Sequence, residues 1–422
     1  MNKSSILKLI HRSSLLVGVF IGSAAFSIAQ DAPSLTALEQ ENKALAERVK
    51  ALEELVQKSG LPPASGAPTP KPVLTSLNNI TLSGFVQTSY FSDLDNTSSQ
   101  RIAGYLWNNK NNNFSINKVK LTFASTPAVR SSTDWSADFR VSLMAGEAAP
   151  VLNSGSATTG FDYLREAYVE MNVPVGKGLL VKAGELISLL NWESGDGGAA
   201  NPNFSQGYQW WYTGNGPSAG VQADYAFTDW LDVVARVDNG LYAGPIGNAN
   251  KKAGMVSVNF KPIQDGWFNV IGFGGLGGGT LNANGASVIG GYQFTPKLGT
   301  GFEADYFSFH NQSAKSGELS SIGGWIWYDF TPQYGIAFRA EYLDDPDGVG
   351  LNGGPNPYGA GSGILSPSPN GNLESFTLTF NWHPIPALKI QPEIRLNHTS
   401  YTGGFNGKQN QFIVGVGATY AF

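Results

Sequence analysis

The residues best suited to act on another molecule sit in one stretch, Leu186–Pro217 (LISLLNWESGDGGAANPNFSQGYQWWYTGNGP). It opens apolar, carries Glu193 and Asp196, and then turns aromatic at Phe204, Tyr208, Trp210, Trp211 and Tyr212. So much apolar surface is unsuited to a segment waving in water. Two carboxylates held opposite a set of bases would make a transverse electric field and a size limit, a way of sorting solutes without covalent chemistry. Nucleophilic or general-base chemistry finds little support. After the amino-terminal segment the only histidines are His310, His383 and His398, none beside a nucleophile pattern.

Such a field needs a wall to carry the bases. Period-two alternation recurs along the chain, as in Trp135–Met144, where Phe139, Val141 and Leu143 alternate with Asp138, Arg140 and Ser142. This is the pattern of a strand with one apolar and one polar face. The closing stretch, Asn410–Phe422, sets Phe412, Val414, Val416, Ala418, Tyr420 and Phe422 against Gln411, Gly415, Gly417 and Thr419. About sixteen such segments follow one another from Ile80, an even number that returns both ends of a closed sheet to one side.

The connections alternate as well. Short turns (228–229, 261–265, 295–297, 331–333, 383–387) take turns with longer polar stretches (92–113, 145–161, 186–217, 239–252, 274–285, 311–320, 343–372, 398–409). Aromatics such as Tyr225, Phe227, Trp230, Tyr292, Phe294, Phe330, Tyr334 and Trp382 gather beside the short turns. Short turns on one side, long loops on the other and aromatic girdles predict an all-β, transmembrane antiparallel barrel. In hydrocarbon every backbone group must be paired, and a closed sheet has no edge.

With the apolar face towards lipid, Asp138, Arg140, Glu166, Glu170, Asp224, Asp232, Arg236, Asp238, Glu303, Asp305, Arg339, Glu341, Lys389, Glu393 and Arg395 point inward, together with Lys118, Lys120 and Lys182. So many ions require a wet interior, and about sixteen strands leave room for one. Glu193 and Asp196 are then expected across from wall bases such as Arg140, Arg236, Arg339 or Arg395. A slight excess of inward acids predicts at most a mild preference for cations.

Composition agrees. Hydrophobic residues make up 41% and charged residues only 14%, yet beyond the amino terminus no apolar run is long enough for a spanning helix. The absence of cysteine excludes disulfides and thiolate metal sites, and no cofactor is expected. A formal charge of −5 argues against nucleic acid as a partner. Asp344, Asp345 and Asp347 could bind Ca²⁺, although Pro346 breaks the spacing and an ordinary turn explains them as well.

Ahead of the barrel, residues 1–29 have the basic start, short apolar core and Ser27-Ile28-Ala29 end of a cleaved secretory signal. Residues 30–58 read as a periplasmic coiled-coil stalk, with Leu35, Asn42, Val49 and Val56 at a positions and Leu38, Leu45 and Leu52 at d. Val and Asn at a with Leu at d lean towards dimers, but the larger barrel surface is expected to overrule so short a seam and dictate a homotrimer. Residues 59–77 are a Pro- and Gly-rich linker, and 78–422 the barrel.

Asn201-Pro-Asn-Phe-Ser, the aromatic run after it, Ser218-Ala-Gly-Val-Gln-Ala-Asp-Tyr, Val237-Asp-Asn-Gly, Leu164-Arg-Glu-Ala-Tyr-Val-Glu and Leu180-Val-Lys-Ala-Gly resemble the OmpL-like β-barrel porin family of Gram-negative outer membranes. The final Tyr420 and Phe422 resemble the signal that the barrel-assembly machinery reads. The resemblance implies a porin for passive diffusion of small hydrophilic solutes and ions, with no catalytic residues. Two other readings fit the residues: an oligosaccharide channel with Trp210, Trp211 and Tyr212 as a stacking slide, or a plugged barrel whose stalk contacts the cell wall.

Overall fold

Alternation of faces becomes a closed sheet in the computed structural model. It describes residues 79–105, 108–153, 160–241, 243–246, 250–278, 281–311, 316–348, 371–401 and 404–422. The signal segment, the heptad seam and the linker lie outside these residues. The first eight strands are β1 (Ile80–Asp93), β2 (Asn113–Ser125), β3 (Ser136–Ala145), β4 (Leu164–Val173), β5 (Leu179–Leu186), β6 (Ser218–Ala226), β7 (Leu231–Asp238) and β8 (Ala253–Ile263). The second eight are β9 (Gly266–Gly278), β10 (Leu281–Thr295), β11 (Leu298–Asn311), β12 (Gly317–Asp329), β13 (Tyr334–Asp345), β14 (Gly371–Ile385), β15 (Leu388–Thr399) and β16 (Asn410–Ala421). Each pairs antiparallel with its neighbours in sequence, and β16 returns to β1, making a sixteen-strand barrel.

The seam is tight because β1 and β16 supply each other's backbone partners. Val86 stands opposite Tyr420 and Gln87 opposite Thr419. At its end the Gly84 N–H donates to the Phe422 carbonyl and the Phe422 N–H to that of Gly84, both at 2.9 Å. Gly84 lies so close to the Phe422 ring and the Lys120 carbonyl that a side chain could not be added without displacing one of them.

Faces follow the sequence pattern. On β13 Arg339 and Glu341 are buried while Phe338 and Tyr342 are exposed; on β15 Glu393 and Arg395 are buried while Ile394 and Leu396 are exposed. Apolar outside and charged inside is the reverse of a water-soluble protein and is what hydrocarbon solvates. Phe227, Trp230, Phe294, Phe330, Tyr334, Trp382, Tyr420 and Phe422 are exposed beside the short turns. Tyr292 packs edge-on against Phe294, with ring centres 4.7 Å apart.

Two expected loops are partly strand. Residues 274–278 continue β9 and residues 281–285 belong to β10, with Gly274 opposite Asn284 and Gly275 opposite Ala283. Part of 311–320 continues β12, where Gly317 faces Phe309. Four of the five residues 274–278 are glycine, which has no side chain to alternate, so that strand end carries no period-two signal although its backbone pairs.

The buried apolar cluster lies where the long loops meet the inner wall, not between two sheets. Ile102 and Tyr105 from the first loop, Leu152 from the second, Leu190, Phe204, Tyr208, Trp210, Trp211 and Tyr212 from the third, and Tyr401 and Phe405 from the last join wall residues such as Phe91 and Phe307.

Candidate functional site

The third loop enters the barrel where β5 ends. Arg236 on β7 turns it inward, donating from Nη1 to the Ile187 carbonyl at 2.6 Å and from Nη2 to that of Leu186 at 3.1 Å. Its Nε holds Asp238 at 2.8 and 2.7 Å, so this base is committed to the loop's entry. The chain then crosses to the far wall. The Trp192 N–H donates to Glu303 on β11 at 2.8 Å, and the Trp192 ring stacks on Trp325 of β12 with centres 4.6 Å apart.

Glu193 is the central anchor. It accepts from Arg339 Nη1 at 2.8 Å, from Trp325 Nε1 at 3.1 Å and from the Gly207 N–H at 2.6 Å. Arg339 also donates to the Ser205 carbonyl at 2.5 Å and lies 3.0 Å from Glu341. Asp196, one turn of chain later, accepts from Lys120 Nζ at 2.8 Å. Burial pushes the Asp196 carboxyl up, but the Lys120 ammonium outweighs it, and the group is held below its ordinary value.

Beyond Asp196 the loop is pinned through its backbone. Lys389 donates to the Gly198 and Asn201 carbonyls at 3.3 and 2.9 Å, and Glu393 accepts the Phe204 and Ser205 N–H groups at 3.0 and 3.3 Å. In the helical turn Tyr208–Tyr212 the Gln209 N–H reaches Glu341 at 2.9 Å, and its side-chain amide reaches Asp305 at 2.8 Å. Thr213 adds a hydroxyl to Asp305 at 2.7 Å. A carboxylate taken out of water needs donors in return, and the loop's amides and hydroxyls supply them.

Glu193 meets Arg339, one of the wall bases expected for it, while Asp196 meets Lys120, which was not among them. One expectation is corrected: Glu303, Asp305, Arg339, Glu341, Glu393 and Arg395 point inward as expected but are buried under the loop rather than wet. A loop this long, rich in amides, hydroxyls and aromatic rings, can cover the charged wall and satisfy much of it. The Arg395 guanidinium lies over the Phe91 and Tyr105 rings, 4.6 and 4.2 Å from their centres. Trp210, Trp211, Tyr212, Phe204 and Tyr208 are all buried and present no ring to a passing solute.

The other expected residues divide by side. Arg140 pairs with Glu166 at 2.8 Å and Lys182 with Glu170 at 3.5 Å, along the part of the wall that the loop leaves uncovered. There a cavity of about 310 Å³ remains between wall and loop, lined by side chains of β2 to β7 and by Asp196. Asp138, near the short-turn end, accepts the Ala128 N–H at 2.5 Å. Trp192, Gln209, Trp325, Gly415 and Gly417 were not singled out as site residues in the sequence. Gly415 and Gly417 had a usable signal, being the inward face of a strand with its side chains missing. The three acids near the end of β13 do not converge: Asp344 and Asp345 are successive strand residues facing opposite ways, and Asp347 accepts the Glu318 N–H at 3.1 Å.

A closed barrel with these faces and an inward-folded third loop narrows the family sharply. The model for the family described as "Putative beta-barrel porin-2, OmpL-like" matches residues 79–422. The chain belongs to this family. Among solved structures, the anion-selective porin from Comamonas acidovorans is similar at 12% identity and a TM-score of 0.55, covering 81% of this chain and 99% of that one. The outer membrane channel DcaP of Acinetobacter baumannii is similar at 12% identity and a TM-score of 0.53, covering 81% and 97%. The trimer form of OmpT of Vibrio cholerae is similar at 13% identity and 0.52, covering 81% and 99%. No curated protein matches the chain. At these identities the structures speak for the fold, and the OmpL-like family for the rest: a barrel of the outer membrane with a general channel role, pointing away from catalysis.

Proposed function

We propose that this OmpL-like barrel lets small hydrophilic solutes and ions diffuse passively across the outer membrane through a lumen narrowed by the third loop, 186–217. The observation that carries the reading is the pair of anchors, Glu193 on Arg339 and Asp196 on Lys120, each at 2.8 Å. They tie the loop to the inner wall on both flanks while the cavity beside β3–β6 stays open. The burial of Trp210, Trp211 and Tyr212 weighs against an oligosaccharide slide. We take the assembly to be a homotrimer, in keeping with the trimer form of the similar OmpT barrel. Tyr420 and Phe422 serve the barrel-assembly machinery, and the stalk lies in the periplasm.

Single-channel recording of the purified full-length protein in planar bilayers tests the reading, together with uptake of neutral sugars of increasing size into proteoliposomes. Ohmic steps and a sharp size limit are expected. Saturable block by an oligosaccharide would favour the substrate-specific channel, and a silent bilayer the structural anchor.

A further inference from the structure

We propose that the passage left beside the third loop favours small anions over cations, opposite to the preference that the count of inward charges predicts. The inference rests on the channel reading above and names the solute class of that same passage.

The count fails because it weighs all inward charges alike. Glu303, Asp305, Glu341 and Glu393 lie under the loop, buried and held by its donors, and a solute in the passage does not meet them. What it meets is the lining of the cavity, where four bases, Lys120, Arg140, Lys182 and Arg236, stand with two acids, Glu166 and Asp196. Each base comes from a different strand, β2, β3, β5 or β7, so the positive charge spreads around the wall.

Pairing reduces this excess without cancelling it, because the partners are not equally accessible. The Arg140 side chain is 38% exposed and the Glu166 it holds 6%. Lys182 is 22% exposed against 16% for Glu170. Lys120 and Asp196 run the other way, at 7% and 25%, so one acid tempers the two accessible bases. Arg236 and Asp238 are both buried and add little. A charge that keeps contact with water acts on a passing ion, while its buried partner is further away and already satisfied.

Strand register brings the two accessible bases together. Arg140 stands opposite Tyr168, and Lys182 opposite Glu170, on the same inward face of β4. Lys182 Nζ lies 4.4 Å from the centre of the Tyr168 ring, and Arg140 stands beside Tyr168 on the neighbouring strand. Tyr168 itself faces Gly184, which has no side chain to push into the passage. A small anion thus meets Arg140 and Lys182, both flanking Tyr168, within low-dielectric walls that concentrate the field.

The test is the reversal potential of the full-length protein in planar bilayers under a potassium chloride gradient. Chloride is expected to pass more readily than potassium, by several-fold. Lys182→Gln should move the potential towards the cation side and the double variant with Arg140→Gln further, whereas Lys261→Gln, exposed near the end of β8, should leave it unmoved. If loss of Arg140 weakens folding by stranding Glu166, the wild type and Lys182→Gln alone still decide. A conducting channel that prefers potassium, or one whose potential ignores Lys182→Gln, overturns this inference and leaves the channel reading intact. A silent bilayer overturns both.

Discussion

The ring of Phe204, at the inner end of the third loop, occupies the space that Gly417 on the closing strand leaves empty, so closely that a methyl group there would overlap it. Gly415 receives the ring of Phe91 in the same way, and the two rings touch with centres 5.8 Å apart. The loop and the barrel seam are therefore shaped to each other through the absence of two side chains.

Gly417→Val should expel Phe204 from that notch. Overpacking a fitted site costs about 1–3 kcal/mol, enough to shift a loop and too little to unfold a hydrogen-bonded barrel. The expected outcome is a larger single-channel conductance and a higher size limit for neutral sugars, with heat-modifiable gel mobility retained. Unchanged conductance in a folded variant would show that Phe204 does not hold the loop in the lumen.

Arg339 sits between Glu193 on the loop and Glu341 on its own strand, with all three buried. Arg339→Ala leaves two carboxylates without their shared cation, at a cost of roughly 3–5 kcal/mol. Glu193→Gln should cost less, since an amide still accepts from Arg339. Trp192 stacks on Trp325 beside this cluster and reports on it. In urea, the tryptophan fluorescence transition of Arg339→Ala should fall to a lower midpoint than that of Glu193→Gln, and equal midpoints would contradict the anchor.

The Lys120 ammonium holds the Asp196 carboxyl below its ordinary value despite burial. For a carboxylate with a depressed value in the folded state, the stabilisation is present above its unfolded value, about 3.9, and is lost as pH falls through the folded one. The second anchor should therefore hold from neutral pH down through the usual carboxylate range, and conductance noise from the loop should rise only in stronger acid. Asp196→Asn should be noisy at every pH. Noise that begins near pH 6 in the wild type would assign the loosening to another group.

Most of the barrel could be read from the chain itself. Strands such as β7, Leu231–Asp238, and β13, from Tyr334, announce themselves because lipid demands apolar residues on every second position and the lumen tolerates charges between them. The third loop was recognisable as unusual for a related reason, since Trp210, Trp211 and Tyr212 have no stable place in water.

What those residues would touch was not legible. The pairing of Glu193 with Arg339 spans 146 positions, and no local pattern selects that base over Arg140, Arg236 or Arg395. The tertiary structure also decided which charges stay in contact with water. Burial depends on where a folded loop lies, and a periodic sequence fixes only which way each side chain points. Direction came from the alternation of residue types; distance and exposure came from closing the sheet and folding a loop inside it.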